Sequence, residues 1–257
     1  MKKIFYLVAL VAISLLFVQC EQQPCTCTPC PCVDNTCTCG GNNGDNNGSG
    51  DSNTGNTDPK EEGTGIEAGH AYVDLGLPSG LKWATCNVGA TVSTDFGDYF
   101  AWGEVEPKKD YSWDTYKYGT KDNLTKYNSS DNKTVLDLED DAAHVNWGGK
   151  WRMPTKEEME ELDENCTFLY TSKIDANGYS VFGYKVTGPN GNSIFLPAAG
   201  CMYGGTLDFV GSYGNYWSSS LYTDSPGSAY CVNFYSDLVY WGSDDRYRGF
   251  SVRLVCQ

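Results

Sequence analysis

The chain has 257 residues, 33 acidic against 18 basic side chains and a formal net charge of −15, so nucleic acid and anionic membrane faces are poor partners. Hydrophobic residues make up 40 % of it but are unevenly placed. Residues 1–65 hold one apolar run and little else, and the roughly 190 residues that follow suit a single domain with its own core. The chain opens with Lys2 and Lys3, then runs apolar from Ile4 to Val18 and reaches Gln19-Cys20. That is the layout of a secretory signal peptide over residues 1–19, and the run is too short to favour a membrane span.

A cysteine directly after the apolar run, in LLFVQC, resembles the lipobox of bacterial lipoproteins. The resemblance implies lipid modification of Cys20, contact with membrane through that anchor, and display at the cell surface on a bacterial outer membrane. Residues 20–65 read as a tether. Cys25, Cys27, Cys30, Cys32, Cys37 and Cys39 crowd its start, and in an exported chain such a set favours disulfides over a soft-metal thiolate cluster, since no histidine accompanies it. Gly40 to Gly65 is mostly Gly, Asn, Asp, Ser and Thr with almost nothing apolar, a solvated spacer.

The domain of residues 66–257 begins with a predicted hairpin, Tyr72–Leu75 and Leu81–Ala84 around Pro78-Ser79-Gly80. A short apolar run, Tyr99 to Trp102, precedes a long polar excursion from Glu104 to about Val145, which is either functional or ordered by short elements of its own. Thr155 to about Asp163 is the one clear helix: Thr155 and Glu158 form a capping box, and Met159 and Leu162 an apolar stripe. Tyr179–Thr187 and Ser193–Pro197 flank Gly188-Pro189-Asn190-Gly191 as a second hairpin. Short antiparallel strands with one clear helix and long loops predict an α+β fold.

The last stretch, residues 211–257, has a composition of its own. Between Gly211 and Cys256 there is no Lys, Glu, Gln or Met, while Tyr213, Tyr216, Tyr222, Tyr230, Tyr235, Tyr240 and Tyr247 recur among Ser, Gly, Asp and Asn. Tyr offers large amphipathic contact area at low entropy cost and the small polar residues offer adaptable hydrogen bonds, the alphabet of binding loops. Tyr230, Val232 and Phe234 alternate with Cys231, Asn233 and Tyr235, as in half-buried strands. Trp217, Val232, Phe234, Val239, Trp241 and Phe250 form the predicted inward set.

Five landmarks, YVDLGLPSGLKWATCNVGA, YFAWGE, WRMPTKEEMEEL, NYWSSS and GFSVRLV, resemble those of the Fibrobacter-succinogenes-major-paralogous-domain family of bacterial lipoproteins. The resemblance implies a C-type lectin-like fold, shared more distantly with formylglycine-generating enzymes. The terminal stretch resembles the variable regions of diversity-generating retroelement targets, whose mutagenesis rewrites adenines. From an AAC codon this reaches Tyr, Asp, Ser, Gly, Cys, Leu and Arg but never Lys, Glu, Gln, Met or Trp. The outward candidates that fit are Tyr222, Ser225, Gly227, Ser228, Cys231, Asn233, Tyr235, Asp237, Leu238, Tyr240, Gly242, Ser243, Asp244, Asp245, Tyr247 and Arg248. They are the expected ligand-binding residues, with Trp217, Trp241, Val232, Phe234 and Phe250 as a constant frame.

Catalytic signals are sparse. His70 and His144 are far apart and in no partnered motif, and Cys86, Cys166, Cys201, Cys231 and Cys256 are an odd set. The calcium-dependent lectin sugar site does not carry over, because Gly188-Pro189-Asn190 lacks an acidic partner and Trp217 is followed by Ser218-Ser219. Asp137, Glu139, Asp140 and Asp141 suit either a hard cation or a solvated acidic loop, and the latter is expected. No catalytic residue, metal or cofactor is therefore expected. The reading is a surface-displayed lipoprotein binding module for a protein or glycan ligand on another cell or host surface. The rivals are a formylglycine-generating-like or carbohydrate-active enzyme and a static structural cell-surface protein.

Overall fold

A computed structural model describes residues 63–257; the expectations for the signal peptide, Cys20 and the cysteine-rich tether lie outside the described residues. In chain order the elements are β1 (Gly65–Glu67), β2 (His70–Asp74), β3 (Lys82–Asn87), β4 (Gly119–Thr120), β5 (Asn123–Leu124), α1 (Ala142–Trp147) and α2 (Lys156–Asn165). Then come β6 (Thr167–Ile174), β7 (Ser180–Thr187), β8 (Ser193–Pro197), β9 (Cys201–Tyr203), β10 (Thr206–Asp208), β11 (Gly214–Leu221), β12 (Ser228–Tyr235), β13 (Leu238–Asp245) and β14 (Arg253–Cys256). They form five small antiparallel sheets: β1-β2-β3-β14, β4-β5, β6-β7-β8, β9-β10 and β11-β12-β13.

This corrects the expected α+β, C-type lectin-like class. The fold is mostly β, with 42 % of it in strands and 10 % helical. The helix signals in the sequence were real but few, whereas several strands left weak signals. β6 interrupts its alternation with the apolar triplet Phe168-Leu169-Tyr170, and β9 and β10 are three residues each.

Local chemistry explains the elements that the sequence did reveal. The β2–β3 hairpin closes through Asp74, whose side chain accepts from Gly76 N (2.8 Å), and through Gly80, at φ 74°, whose N–H donates to Leu77 O. Ser79 in that turn donates through both N and Oγ to Glu161 of α2. The α2 capping box is complete: Thr155 Oγ1 accepts from Glu158 N, Glu158 Oε2 accepts from Thr155 N, and Arg152 grips the same carboxylate with both guanidinium nitrogens. Met159 and Leu162 are buried beneath it.

Two hydrophobic clusters flank the terminal sheet. β12 lies between them and serves both: Ala229 and Cys231 enter one, Val232 and Phe234 the other. β11 is buried along its whole length, so its polar atoms need partners from the protein. Trp217 stacks on Phe250 (4.3 Å) and donates Nε1–H to Phe100 O; Ser218 Oγ donates to Tyr230 O; Ser220 Oγ accepts from Lys156 N at the start of α2. Gly214 belongs there because a Cβ would fall 2.0 Å from the Phe234 ring. The inward set thus faces core, with Val239 and Trp241 only partly buried at the edge.

The polar excursion is ordered by short elements and by aromatics. Tyr111, Tyr116, Tyr118, Tyr127 and Leu136 are buried in the first cluster, and Arg246, fully buried, draws the segment to the terminal sheet. It donates to Tyr116 Oη (2.7 Å) and to the carbonyls of Tyr127, Pro226 and Lys126, with its guanidinium 4.8 Å over the Trp102 ring. Arg253, also buried, joins β14 to Asn87 Oδ1, Ala84 O and Phe195 O.

Asp137, Glu139 and Asp140 do converge, as a cation site would require. The charge among them is met by lysines instead: Lys126 Nζ lies 2.7 Å from Asp137, 3.3 Å from Glu139 and 2.5 Å from Asp140, with Lys133 on Asp137 and Lys117 on Asp140. Asp141 stands apart as the α1 N-cap. His70 stacks on Trp147 and His144 Nδ1 contacts Trp151 O. Cys166, Cys201, Cys231 and Cys256 carry free thiols, so no disulfide joins these four.

Two measurements check this account. Thr155→Ala is expected to lower unfolding stability by about 1 kcal/mol in urea melts, the usual value of an N-cap. Hydrogen bonds from Lys126 and then Lys133 hold Asp137 below the usual carboxylate range, and at Asp140 burial is outweighed by donors led by Lys126. Both folded values lie below the unfolded one, so this stabilisation is complete above about pH 4 and is withdrawn as pH falls through the folded values. Lys126→Met should flatten the acid limb of the stability profile; an unchanged limb would show that the cluster does not contribute.

Candidate ligand-binding face

Register decides which side chains of the terminal sheet stand together, because directly opposed residues share a face. β12 pairs with β13 without a slip, matching Cys231 with Gly242, Asn233 with Tyr240 and Tyr235 with Leu238. On the other side Trp217 opposes Cys231 and Asn215 opposes Asn233. One face therefore carries Asn215, Trp217, Cys231, Asn233, Tyr235, Leu238, Tyr240, Gly242 and Asp244. The opposite face carries Tyr216, Val232, Phe234, Val239 and Trp241 and packs on core.

The first face changes character along its length. At the Trp217–Cys231 end it is closed by the first cluster, and Asn233 is 6 % exposed with its amide donating to Cys231 Sγ. Towards the β12–β13 turn it opens: Leu238 is 43 % and Tyr240 41 % exposed. Tyr235 rests against Tyr213 (5.5 Å), and Tyr213 against Phe209 (5.2 Å). From the far side, Arg248 pairs with Asp244 at 2.8 Å while lying 5.0 Å over Tyr203 of β9.

The electrostatics follow from partial burial. Burial raises the Asp244 carboxyl, and the Arg248 guanidinium opposes that without cancelling it. Burial also raises the Tyr240 phenol, with Cys231 and Asp244 acting in the same direction, so at neutral pH Tyr240 is a neutral donor and acceptor on the face.

The expected ligand residues divide accordingly. Cys231, Asn233, Tyr235, Leu238, Tyr240, Gly242 and Asp244 share the face, and Arg248 joins it through Asp244. Four positions expected to face outward are buried: Gly227, whose carbonyl accepts from Arg246 N; Cys231 and Asn233 under the first cluster; and Tyr247, held between Trp113 and Tyr203. Tyr222, Ser225 and Ser228 lie at the other end of the sheet, where Tyr222 N donates to Ser228 O and the Tyr222 ring meets Tyr230. Asp237 sits in the β12–β13 turn, and Ser243 and Asp245 fall on the opposite face.

Sequence reasoning missed the part of the surface that comes from before the terminal strands. Tyr203, Leu207, Phe209 and Val210 are all more than two-fifths exposed and lie on or just after the β9–β10 hairpin. Their signal was three large apolar residues, Leu207, Phe209 and Val210, set about Asp208 in a short segment between Gly204-Gly205 and Gly211.

No curated protein and no solved structure matches the chain. The sequence model of the Lcl C-terminal domain matches residues 76–256, which takes in every strand from β3 to β14. That family is linked to the variable proteins of diversity-generating retroelements and suggests a ligand-binding surface module of their kind. Since the match covers well over half of its length, the chain belongs to the Lcl C-terminal domain family.

Proposed function

We propose that the protein is a surface-displayed lipoprotein whose domain recognises a protein or glycan ligand through the open half of the tyrosine-rich face. The observation that carries this reading is the register of β12 and β13, which gathers Tyr235, Leu238, Tyr240, Gly242 and Asp244 on one side, next to Tyr203, Phe209 and Tyr213. An exposed set of aromatics on a rigid sheet supplies contact area at little entropic cost. The LLFVQC junction and the tether support display at the bacterial outer-membrane surface, and the likeness to Fibrobacter-type lipoprotein domains points the same way.

In the finer form of the proposal, retroelement mutagenesis rewrites the open positions of this face while the buried Trp217, Val232, Phe234 and Phe250 stay fixed. A near-copy of the terminal coding stretch, with adenines at the Tyr235, Leu238, Tyr240, Gly242 and Asp244 codons and a reverse transcriptase gene beside it, is what this form requires. Without that copy the domain is a static binding module.

Two experiments test the proposal. The chain is expected to bind a restricted set of targets on a glycan and protein array, and the paired change Tyr235→Ala with Tyr240→Ala to weaken that binding by about 2 kcal/mol or more, as central aromatic anchors do. Undiminished binding would remove the face from the account. Cys20→Ala is expected to move the protein out of the membrane fraction; unchanged partition would remove the anchor.

A further inference from the structure

The backbone of β13 supplies a partner class. Trp217 N donates to Ser251 O and Ser251 N to Asn215 O, so Asn215 and Trp217 turn their main-chain groups away from β12. In an antiparallel strand the N–H and C=O of one residue point to the same side and the side alternates. Their register partners Asn233 and Cys231 therefore turn their groups towards β13, where they meet Tyr240 and Gly242. Val239, Trp241 and Ser243 are left with outward-facing N–H and C=O groups. Among the described residues β13 has no substantial neighbour but β12, and no backbone hydrogen bond outside that pairing reaches Val239, Trp241 or Ser243.

Exposed edges are normally blunted by lysine, proline or a bulge. β13, reading LVYWGSDD, has neither residue and pairs with β12 in unbroken register over all eight positions. Of the other two eight-residue edge strands, β6 carries Lys173 and β11 is buried along its whole length. The only charges of β13, Asp244 and Asp245, stand at one end, so Val239 to Ser243 is an unguarded template beside the tyrosine-rich face.

Charge selects the occupant. From Cys201 onward the cations are Arg246, Arg248 and Arg253. Two of these are fully buried and the third is paired with Asp244, whereas Asp208, Asp224, Asp237 and Asp245 add further negative charge. A second copy of the chain fits poorly: the register that pairs β13 with itself, centred on Trp241, sets Asp237 against Asp245 of the other copy, and each chain brings a net charge of −15.

We infer that β13 takes up an extended, basic segment of a partner protein as a fourth strand of the terminal sheet. This rests on the proposed binding role and specifies its ligand as polypeptide. Alternate side chains of the added strand lie beside Leu238 and Tyr240 on the open face, and its Lys or Arg residues meet Asp237 and Asp245.

A phage library of random short peptides selected on the full chain tests the inference. Enriched peptides are expected to be rich in Lys or Arg and, when bound, to slow amide exchange at Val239, Trp241 and Ser243. Ser243→Pro removes one outward N–H and leaves the β12 ladder intact, since proline is tolerated on the solvent side of an edge strand. With an unchanged urea midpoint as evidence of folding, it should weaken peptide binding by about tenfold, the scale of a lost hydrogen bond whose partner is left unpaired. Enriched peptides without basic residues, no slowed exchange at those three amides, or a library that yields no binder would each overturn the inference. If Tyr240→Ala abolishes binding while those amides exchange unchanged, strand addition fails and the face stands; if neither the face nor the edge responds, the proposed function fails as well.

Discussion

A guanidinium closed off from bulk solvent must find its acceptors within the protein, and Arg246 is such a group. Its donors are taken by one phenol oxygen and three main-chain carbonyls, and its flat faces by aromatic rings. Those acceptors come from Tyr116, from Lys126 and Tyr127, and from Pro226, segments with no reason of their own to meet. The polar excursion and the β11–β12 connection are therefore both fixed to the residue that follows β13. Any packing that separated them would strand a buried charge, a cost of several kcal/mol.

The terminal sheet is held from a second direction by its own centre. A strand whose alternate side chains enter two different clusters cannot slide by one residue, because the slip would exchange Cys231 and Val232 between environments shaped for each. The face is thereby open only where the sheet extends past the first cluster. The same strands carry a core at one end and a surface at the other, and the boundary falls near Asn233, whose amide is spent on Cys231 Sγ.

The sequence disclosed those features that local rules govern. Thr155 with Glu158 announced α2, the Pro78-Ser79-Gly80 and Gly188–Gly191 turns announced two hairpins, and the alternation from Tyr230 to Tyr235 separated the two faces of β12. What local rules do not contain is which object covers a face. Tyr247 reads as a surface residue but lies between Trp113 and Tyr203, and Cys231 enters the cluster that holds Trp102, all distant in sequence. The mostly-β class was obscured at β6 by Leu169, exposed between Phe168 and Tyr170, which breaks the visible alternation. The excursion shows little periodicity because its order depends on tyrosines that pack on Arg246 rather than on any repeating pattern.

The four free thiols bear on how the protein meets an oxidising surrounding. Burial raises them all, Cys166 and Cys256 to about 11, and a thiol reacts as its thiolate. At neutral pH these sulfurs exchange slowly with disulfides or oxidants, and three of them are closed off from solvent as well. They act as small apolar side chains that happen to contain sulfur. The packing around them owes nothing to covalent crosslinks among these four, so it holds under reducing and oxidising conditions alike.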